Sequence, residues 1–197
     1  MSSLKSLINN FMDFTAFSHG QIQSKVWLCK ELEPHLPANA RVAILGSWYN
    51  VLAFMLLARN SDQYQEILGI DIDEDAVMVS DHITDAWRIG TDAKVINVVA
   101  DAGTYDLSSY QVVINCSPEH MKSNDWFDNL AIGTLVCIQS SDVTIKDDSI
   151  WKCVNPNQSL EELTKKYPLA PSYFSETKEI NYGDWGYKRF MIIGTKE

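Results

Sequence analysis

The sequence contains no long apolar run, no closely spaced cysteine pair and no large basic cluster. The longest apolar stretch, residues 51–58, is too short to span a bilayer. None of the four cysteines forms a C-x-x-C pair, so neither a zinc site nor a disulfide framework is indicated. The net charge of −10 repels nucleic-acid phosphates. We therefore expect no metal, no membrane partner and no nucleic-acid partner.

Further features of the sequence indicate the cellular compartment and the class of substrate. The N-terminal region carries Asp13 in an amphipathic pattern rather than the apolar core of a signal peptide. Cys137 lies in an apolar run and reads as a buried thiol. We expect a reducing, cytoplasmic setting and a small-molecule substrate. The negative charge slightly favours a cationic substrate.

Short apolar runs alternate with helical patterns along most of the chain. The length of 197 residues and the apolar content of 46% suit a single domain, residues 1–197. Predicted helices run from Ser47 to about Arg59, from Asp73 to about Ile89, and over residues 125–130. The predicted strands are residues 41–45, 66–70, 95–99, 112–114 and 135–138. This alternation predicts a mostly parallel sheet with helices on both faces.

The two ends of the chain depart from this alternation. Residues 1–40 form a predicted helical segment, broken at His19-Gly20, that is a candidate lid over the core of residues 41–197. Within this segment, the polar residues 18–25 are interpreted either as part of the lid or as an exposed loop. After a helix at 160–166, residues 173–180 and 188–193 predict an antiparallel pair. The fold class is thus α/β, a three-layer Rossmann-like sheet with an antiparallel C-terminal strand.

The first strand ends in a single glycine. In an open α/β sheet, ligands bind outside the carboxyl ends of the strands. Gly46 lets the backbone approach a ligand, and the helix predicted after it offers unpaired N–H groups to an anion. A plain tight turn explains the same residue, because the usual glycine-rich run is missing and the bulky Trp48 and Tyr49 follow Ser47.

Acidic residues end the second and third strands. Asp71 follows Gly46 by 25 residues and can accept both hydroxyls of a ribose. Capping of the next helix is the alternative, but Asp73 is better placed for it. Asp101 can accept from an adenine amino group while the backbone of Ala102 meets the ring; a solvated loop aspartate is the alternative.

The fourth strand ends in a polar cluster, Asn115 to His120. Glu119 and His120 can act as general base or bind a substrate amine. Alternatively, Asn115 and Ser117 only hold a turn. A nucleophilic Cys116 is disfavoured, because the sequence offers no paired base. In the aromatic stretch 183–190, packing of Trp185 against the sheet is favoured over a pocket wall.

This order of strand ends, with the closing antiparallel strand, resembles the class I S-adenosylmethionine-dependent methyltransferases. The resemblance spans residues 41–194. It implies S-adenosylmethionine as cofactor, with Gly46 near its amino acid part, Asp71 on the ribose and Asp101 on adenine. The implied cofactor-binding set is Gly46, Ser47, Trp48, Tyr49, Asp71, Ile72, Asp101, Ala102, Asn115 and Ser117.

Two departures from the family pattern bear on function. The first strand lacks the family's terminal acid and repeated glycines. The fourth loop is not the Asn-Pro-Pro-Tyr type of the amino-methylating DNA enzymes, since Cys116 follows Asn115. With the negative charge, this second departure argues against a DNA methyltransferase.

The favoured hypothesis is methylation of a small molecule, with Asn115, Glu119 and His120 as the catalytic candidates facing the acceptor. A second hypothesis, prompted by the aromatic first loop, is transfer or cyclisation of the aminobutyrate arm with release of methylthioadenosine. A third is a catalytically inactive binding protein. A nicotinamide-dependent dehydrogenase ranks last, because the G-x-G-x-x-G run is absent.

Overall fold

The computed structural model describes residues 13–87, 94–144 and 152–197. The helix predicted before residue 13 lies outside the described residues, as does the end of the predicted helix near Ile89. Among the helices of the described segments, none is long and apolar enough to cross a membrane.

Within the described residues, seven strands form one sheet in the order β3-β2-β1-β4-β5-β7-β6. β1 to β5 are parallel, and β7 lies antiparallel between β5 and β6. This confirms the predicted fold class. The strands are β1 Ala40–Leu45, β2 Tyr64–Asp71, β3 Lys94–Val99, β4 Val112–Asn115, β5 Leu135–Ser141, β6 Leu169–Tyr182 and β7 Trp185–Lys196.

Helices pack on both faces of this sheet because alternate residues of each strand point to opposite sides. The α-helices of the described residues are α1 His19–Leu32, α2 Val51–Asn60, α3 Glu74–Trp87, α4 Asp125–Asp128 and α5 Leu160–Lys166. In β1, Val42 and Ile44 join one core cluster with α1 and α2, whereas Ala43 and Leu45 join another with α4 and α5. The result is a three-layer α/β structure.

The register brings the carboxyl ends of the central strands together. Leu45 at the end of β1 pairs with Ile70 on one side and with Asn115 on the other. Asp71 at the end of β2 pairs with Val99 at the end of β3. The loops that follow these strands therefore share one edge of the sheet, which we call the cofactor edge because the sequence predicts cofactor binding there.

Two predicted boundaries were wrong. The helix after β1 begins at Val51 rather than at Ser47, because Trp48 and Asn50 have φ values of +50° and +49°, outside the helical region. His19 and Gly20 do not separate two helices as predicted, because they form the first turn of α1. Residues 19–25 are accordingly helical and not a loop.

Candidate functional site

The loop after β1, which we call the first loop, contacts the loop after β4, the fourth loop, at Gly46. Gly46 has a φ of +57°, and a Cβ added there would lie 2.9 Å from the Ser117 Cβ. The Ser117 hydroxyl donates to the Gly46 carbonyl at 3.4 Å. On the other side, the Ser47 N–H donates to the Ile70 carbonyl at 3.0 Å. A glycine is needed here both for its backbone conformation and for this close approach.

The two aromatic residues of the first loop pack into a core cluster that includes Val51 and Val79 of the neighbouring helices. Trp48 is anchored at its carbonyl, which accepts from the Ser80 hydroxyl at 2.7 Å. Tyr49 is 4% exposed, and its hydroxyl accepts from the Asp13 N–H at 2.8 Å. Tyr49 is therefore a core residue whose hydroxyl binds the backbone of Asp13, and its role in cofactor binding stays a prediction.

A buried amide network fixes the end of this loop. Asn50 is fully buried and donates to the Asn97 Oδ1 at 2.9 Å. The amide of Asn97 donates in turn to Asp81 and Thr84, at 3.0 and 3.1 Å. A Cβ on Gly69 would lie 2.5 Å from the Asn50 amide nitrogen. Sequence analysis missed this network, although a glycine and an asparagine inside two apolar strands were its signal.

Asp71 is a partly buried carboxylate that already organises two loops. Its Oδ2 accepts from the Trp48 N–H at 2.7 Å and its Oδ1 from the Asp73 N–H at 3.0 Å. Burial raises the pKa of Asp71 above its ordinary value, although the backbone donors oppose this. Asp71 thus has a structural role of its own, beside the capping role that the sequence assigns to Asp73. Each carboxylate oxygen can still accept a second hydrogen bond.

Asp73 caps α3, as predicted. Its Oδ1 accepts from the N–H groups of Asp75 and Ala76, at 3.0 and 3.3 Å.

The turn that carries Asp101 lies beside the end of β2, since the Ala100 N–H donates to the Asp71 carbonyl at 2.9 Å. The Ile72 side chain, directly after Asp71, is 75% exposed. Asp101 is exposed, and its Oδ1 accepts from the Gly103 N–H at 2.8 Å, whereas Ala102 is buried. This part of the edge therefore offers two carboxylates and an exposed apolar side chain.

The side chain of Asn115, at the end of β4, points into the interior. Asn115 is fully buried; its Oδ1 accepts from the Ser117 N–H at 2.9 Å and its amide donates to the Met121 sulfur at 3.2 Å. These contacts agree with the turn-holding alternative for Asn115, and its role toward an acceptor stays a prediction.

Glu119 and His120 have different surroundings. Glu119 is 4% exposed; its Oε2 accepts from the Ser140 hydroxyl at 3.1 Å, and its Oε1 lies 3.8 Å from an Arg189 nitrogen. His120 is partly exposed, with Nδ1 3.2 Å from the Lys152 carbonyl oxygen. Of the three predicted catalytic side chains, only His120 is on the surface.

Two basic residues, Lys25 of α1 and Arg189 of β7, lie beside this loop and were missed by sequence analysis. Arg189 is 6% exposed and donates to the Cys116 carbonyl at 3.0 Å. Lys25 donates to the Gln21 side chain at 2.7 Å. The two residues are far apart in the sequence and belong to no common local motif, so sequence analysis could not predict that they lie together.

A groove of about 420 Å³ lies at the opposite edge of the sheet, beside Gln111 and Leu135. His35 stacks there on Tyr173 at 4.7 Å between ring centroids. This groove contains none of the predicted site residues. Among the described residues, no group of three or more His, Cys, Asp or Glu is arranged to hold a metal ion.

The strand order, with β7 antiparallel between β5 and β6, is the fold seen in solved methyltransferase structures. No protein-family model and no curated protein matches the sequence. The likeness is to solved structures. The YcgJ protein of Bacillus subtilis superposes with a TM-score of 0.65 at 13% identity, covering 89% of this chain and 99% of that one.

Two further structures are methyltransferases by name. Magnesium protoporphyrin IX methyltransferase of Synechocystis PCC 6803, with bound S-adenosylmethionine, has a TM-score of 0.61 at 10% identity, covering 98% of this chain and 86% of that one. A methyltransferase of Aquifex aeolicus has a TM-score of 0.59 at 8% identity, and each chain is covered completely. At such identities the likeness establishes the fold.

Proposed function

We propose that this chain binds S-adenosylmethionine at the cofactor edge and transfers its methyl group to a small molecule. The observation that carries this proposal is that Asp71, the exposed Ile72 and Asp101 follow neighbouring strand ends, where the Ala100 N–H donates to the Asp71 carbonyl at 2.9 Å and the Ser47 N–H to the Ile70 carbonyl at 3.0 Å. The methyltransferase fold supports it, since enzymes with this fold are crystallised with the cofactor or its product.

The residues present suit each part of the cofactor. Asp71 accepts from the ribose hydroxyls with its remaining lone pairs, and Asp101 accepts from the adenine amino group. Ile72 would cover the adenine ring, and Ala102 would contribute its backbone. The backbone of Gly46, Ser47 and Trp48 would hold the amino acid part, near the N-terminus of α2, which favours an anionic group.

When bound, S-adenosylmethionine supplies an electrophilic methyl group on a sulfonium. Methyl transfer then depends mainly on alignment of the acceptor, so the chain acts by positioning and by exclusion of water. His120 is the surface group of the fourth loop that can accept a proton from the acceptor. Asn115 and Ser117 hold the shape of that loop. The buried Glu119 supports it through its contacts with Ser140 and Arg189.

The packing of the first loop bears on the aminobutyrate hypothesis. That hypothesis was motivated by Trp48 and Tyr49 standing where glycines are expected. Since Tyr49 belongs to the core cluster with Val51 and Val79, and the partly buried Trp48 packs against that cluster, these residues give no reason to expect an unusual orientation of the cofactor. Methyl transfer is therefore the reaction we propose.

Calorimetry with S-adenosylmethionine tests the binding site. We expect Asp71→Asn to weaken binding at least about tenfold, because an amide replaces one of the two acceptor oxygens that face the ribose. The control is Asp75→Asn, an exposed aspartate in the first turn of α3, which should bind like the unmodified protein. Thermal melting of each variant verifies that it is folded.

The nucleoside product tests the reaction. With the cofactor and a pool of small metabolites, adenosylhomocysteine is expected by chromatography. Release of methylthioadenosine would favour transfer of the aminobutyrate arm instead. No heat with high-micromolar cofactor would contradict the proposed function altogether.

A further inference from the structure

A basic cluster lies under α1 at the carboxyl end of β5. Arg189 of β7 pairs with Ser141, the last residue of β5. The Gln139 amide, two residues earlier, donates to the Ser24 carbonyl at 3.0 Å and so fixes α1 over this end of the sheet. Lys25, the next residue of α1, therefore lies close to Arg189.

Arg189 is close enough to Lys25 to affect its pKa. Burial, and then the positive charge of Arg189, lower the pKa of Lys25 to about 8, although the thiols of Cys116 and Cys29 act in the opposite direction. The positive charge of Lys25 is thus poorly compensated in its present surroundings.

The cluster has more positive than negative charge. Glu119 is the carboxylate that contacts Arg189, at 3.8 Å, and it also accepts from Ser140. Lys25 bonds to the neutral amide of Gln21, and no carboxylate of the described residues lies within salt-bridge distance of its ammonium group. In a chain with a net charge of −10, this local excess of two cations over one carboxylate is unusual.

A buried hydrogen-bond donor in the same cluster has no acceptor. The Nε of Arg189 is buried and makes no hydrogen bond with the described residues, while a neighbouring nitrogen of the same guanidinium is used on the Cys116 carbonyl. Unpaired buried donors are costly and rare, and each one calls for an explanation such as a functional role, a bound ion or a bound water. The missing partner must be an acceptor, and the excess positive charge favours an anionic one.

We propose that Lys25 and Arg189 form a subsite for a carboxylate group of the acceptor molecule. The inference rests on the proposed function, because the cluster joins the cofactor edge through Cys116. The Cys116 carbonyl accepts from Arg189, and the next residue, Ser117, contacts the Gly46 turn. The substrate class is then a small organic acid and not the cation that the overall charge favours. Lys25 is partly exposed, so the anion enters on its side of the cluster.

Ligand-observed NMR with matched probe pairs tests this subsite. The probes are benzoate and succinate, compared with benzamide and succinamide, which keep the shape but not the charge. We expect at least one carboxylate to bind at least tenfold more tightly than its amide. Equal binding of acids and amides, or no binding of either acid, would overturn the proposal. Titration with and without S-adenosylmethionine separates this outcome from failure of the cofactor site.

Three variants identify the residues responsible. Arg189→Gln should weaken carboxylate binding at least tenfold and Lys25→Met several-fold, with the affinity for S-adenosylmethionine unchanged. Lys30→Met is the matched control, because Lys30 lies on the same helix with its side chain 72% exposed. If removing the Arg189 charge alone prevents folding by leaving Glu119 unpaired, the double variant Glu119→Gln/Arg189→Gln removes both charges. Carboxylate binding unchanged in Lys25→Met and in the folded arginine variant would overturn the assignment.

Discussion

At the scale of single residues, Gly46 has the most demanding position. Its positive φ of +57° suits glycine, and its missing side chain leaves room for Ser117. Gly183 provides a natural comparison, since its φ is +66° but no atom lies within 4 Å of an added Cβ. Backbone strain and steric conflict can therefore be measured separately.

We predict that Gly46→Ala lowers the free energy of unfolding by more than the roughly 1–2 kcal/mol expected for a left-handed alanine. It should also weaken S-adenosylmethionine binding, because Ser117 and the first loop must move apart. Gly183→Ala should show the strain alone and keep cofactor affinity. Urea unfolding and calorimetry measure both effects. Equal losses of stability in the two variants would mean that the Ser117 contact is unimportant.

Residue positions along the cofactor edge were predictable, but side-chain directions were not. Gly46, Asp71 and Asp101 fall at strand ends that local hydrophobic patterns identify, and the structure places all three at one edge. Tyr49 and Asn115 share this edge yet are buried, because the partners that fix them, Asp13 and Met121, follow no local pattern.

At the scale of elements, the loop after β1 shows why a helix boundary was misplaced. Ser47 is a good N-cap residue, and this preference predicts a helix starting there. Two long-range contacts prevail instead: Ser80 of α3 binds the Trp48 carbonyl, and Asn97 of β3 binds the Asn50 amide. These contacts hold left-handed residues in place, and α2 starts only after them.

The amino ends of β1, β2 and β3 are joined by a charged cluster around Glu66. Arg41 of β1 donates to the Glu66 carboxylate at 3.0 Å, and the Tyr110 hydroxyl donates at 2.8 Å. Lys94 of β3 lies 3.7 Å away. Burial acts to raise the pKa of Glu66, but the hydrogen bonds from Arg41 and Tyr110 bring it below the ordinary value.

We predict that Glu66→Gln destabilises the protein by about 1–2 kcal/mol at pH 7, through lost charge-assisted hydrogen bonds. Since the folded pKa of Glu66 is lowered, its contribution is present above the unfolded value of about 4.3 and disappears as the pH falls through the folded value. Urea midpoints measured across pH should therefore converge for the two proteins in acid. Glu179→Gln, exposed on β6, is the control. A constant difference down to pH 2 would contradict the assignment.

At the scale of the whole molecule, the sheet carries the cofactor loops on one edge and the Glu66 cluster on the other. A ligand that binds only the folded state stabilises the entire domain by mass action. Cofactor binding at the proposed site should therefore be visible in global unfolding.

We predict that S-adenosylmethionine at about 100 times its Kd adds about 2.7 kcal/mol and raises Tm by roughly 5–10 °C. Differential scanning fluorimetry measures the shift. At the same concentration, Asp71→Asn should shift less, whereas Asp75→Asn should shift fully. A Tm that does not change with millimolar cofactor would contradict binding at this edge.

The sequence by itself determined the order of strands and helices, the α/β class and the residues at the strand ends, because these follow from hydrophobic runs and turns that are local in the chain. Tertiary structure decided the rest. It turned Tyr49 and Asn115 into the interior, and it brought Lys25 from the first described helix to Arg189 on the last strand. Such positions depend on contacts between distant segments, and the energy of those contacts exists only once the sheet has formed.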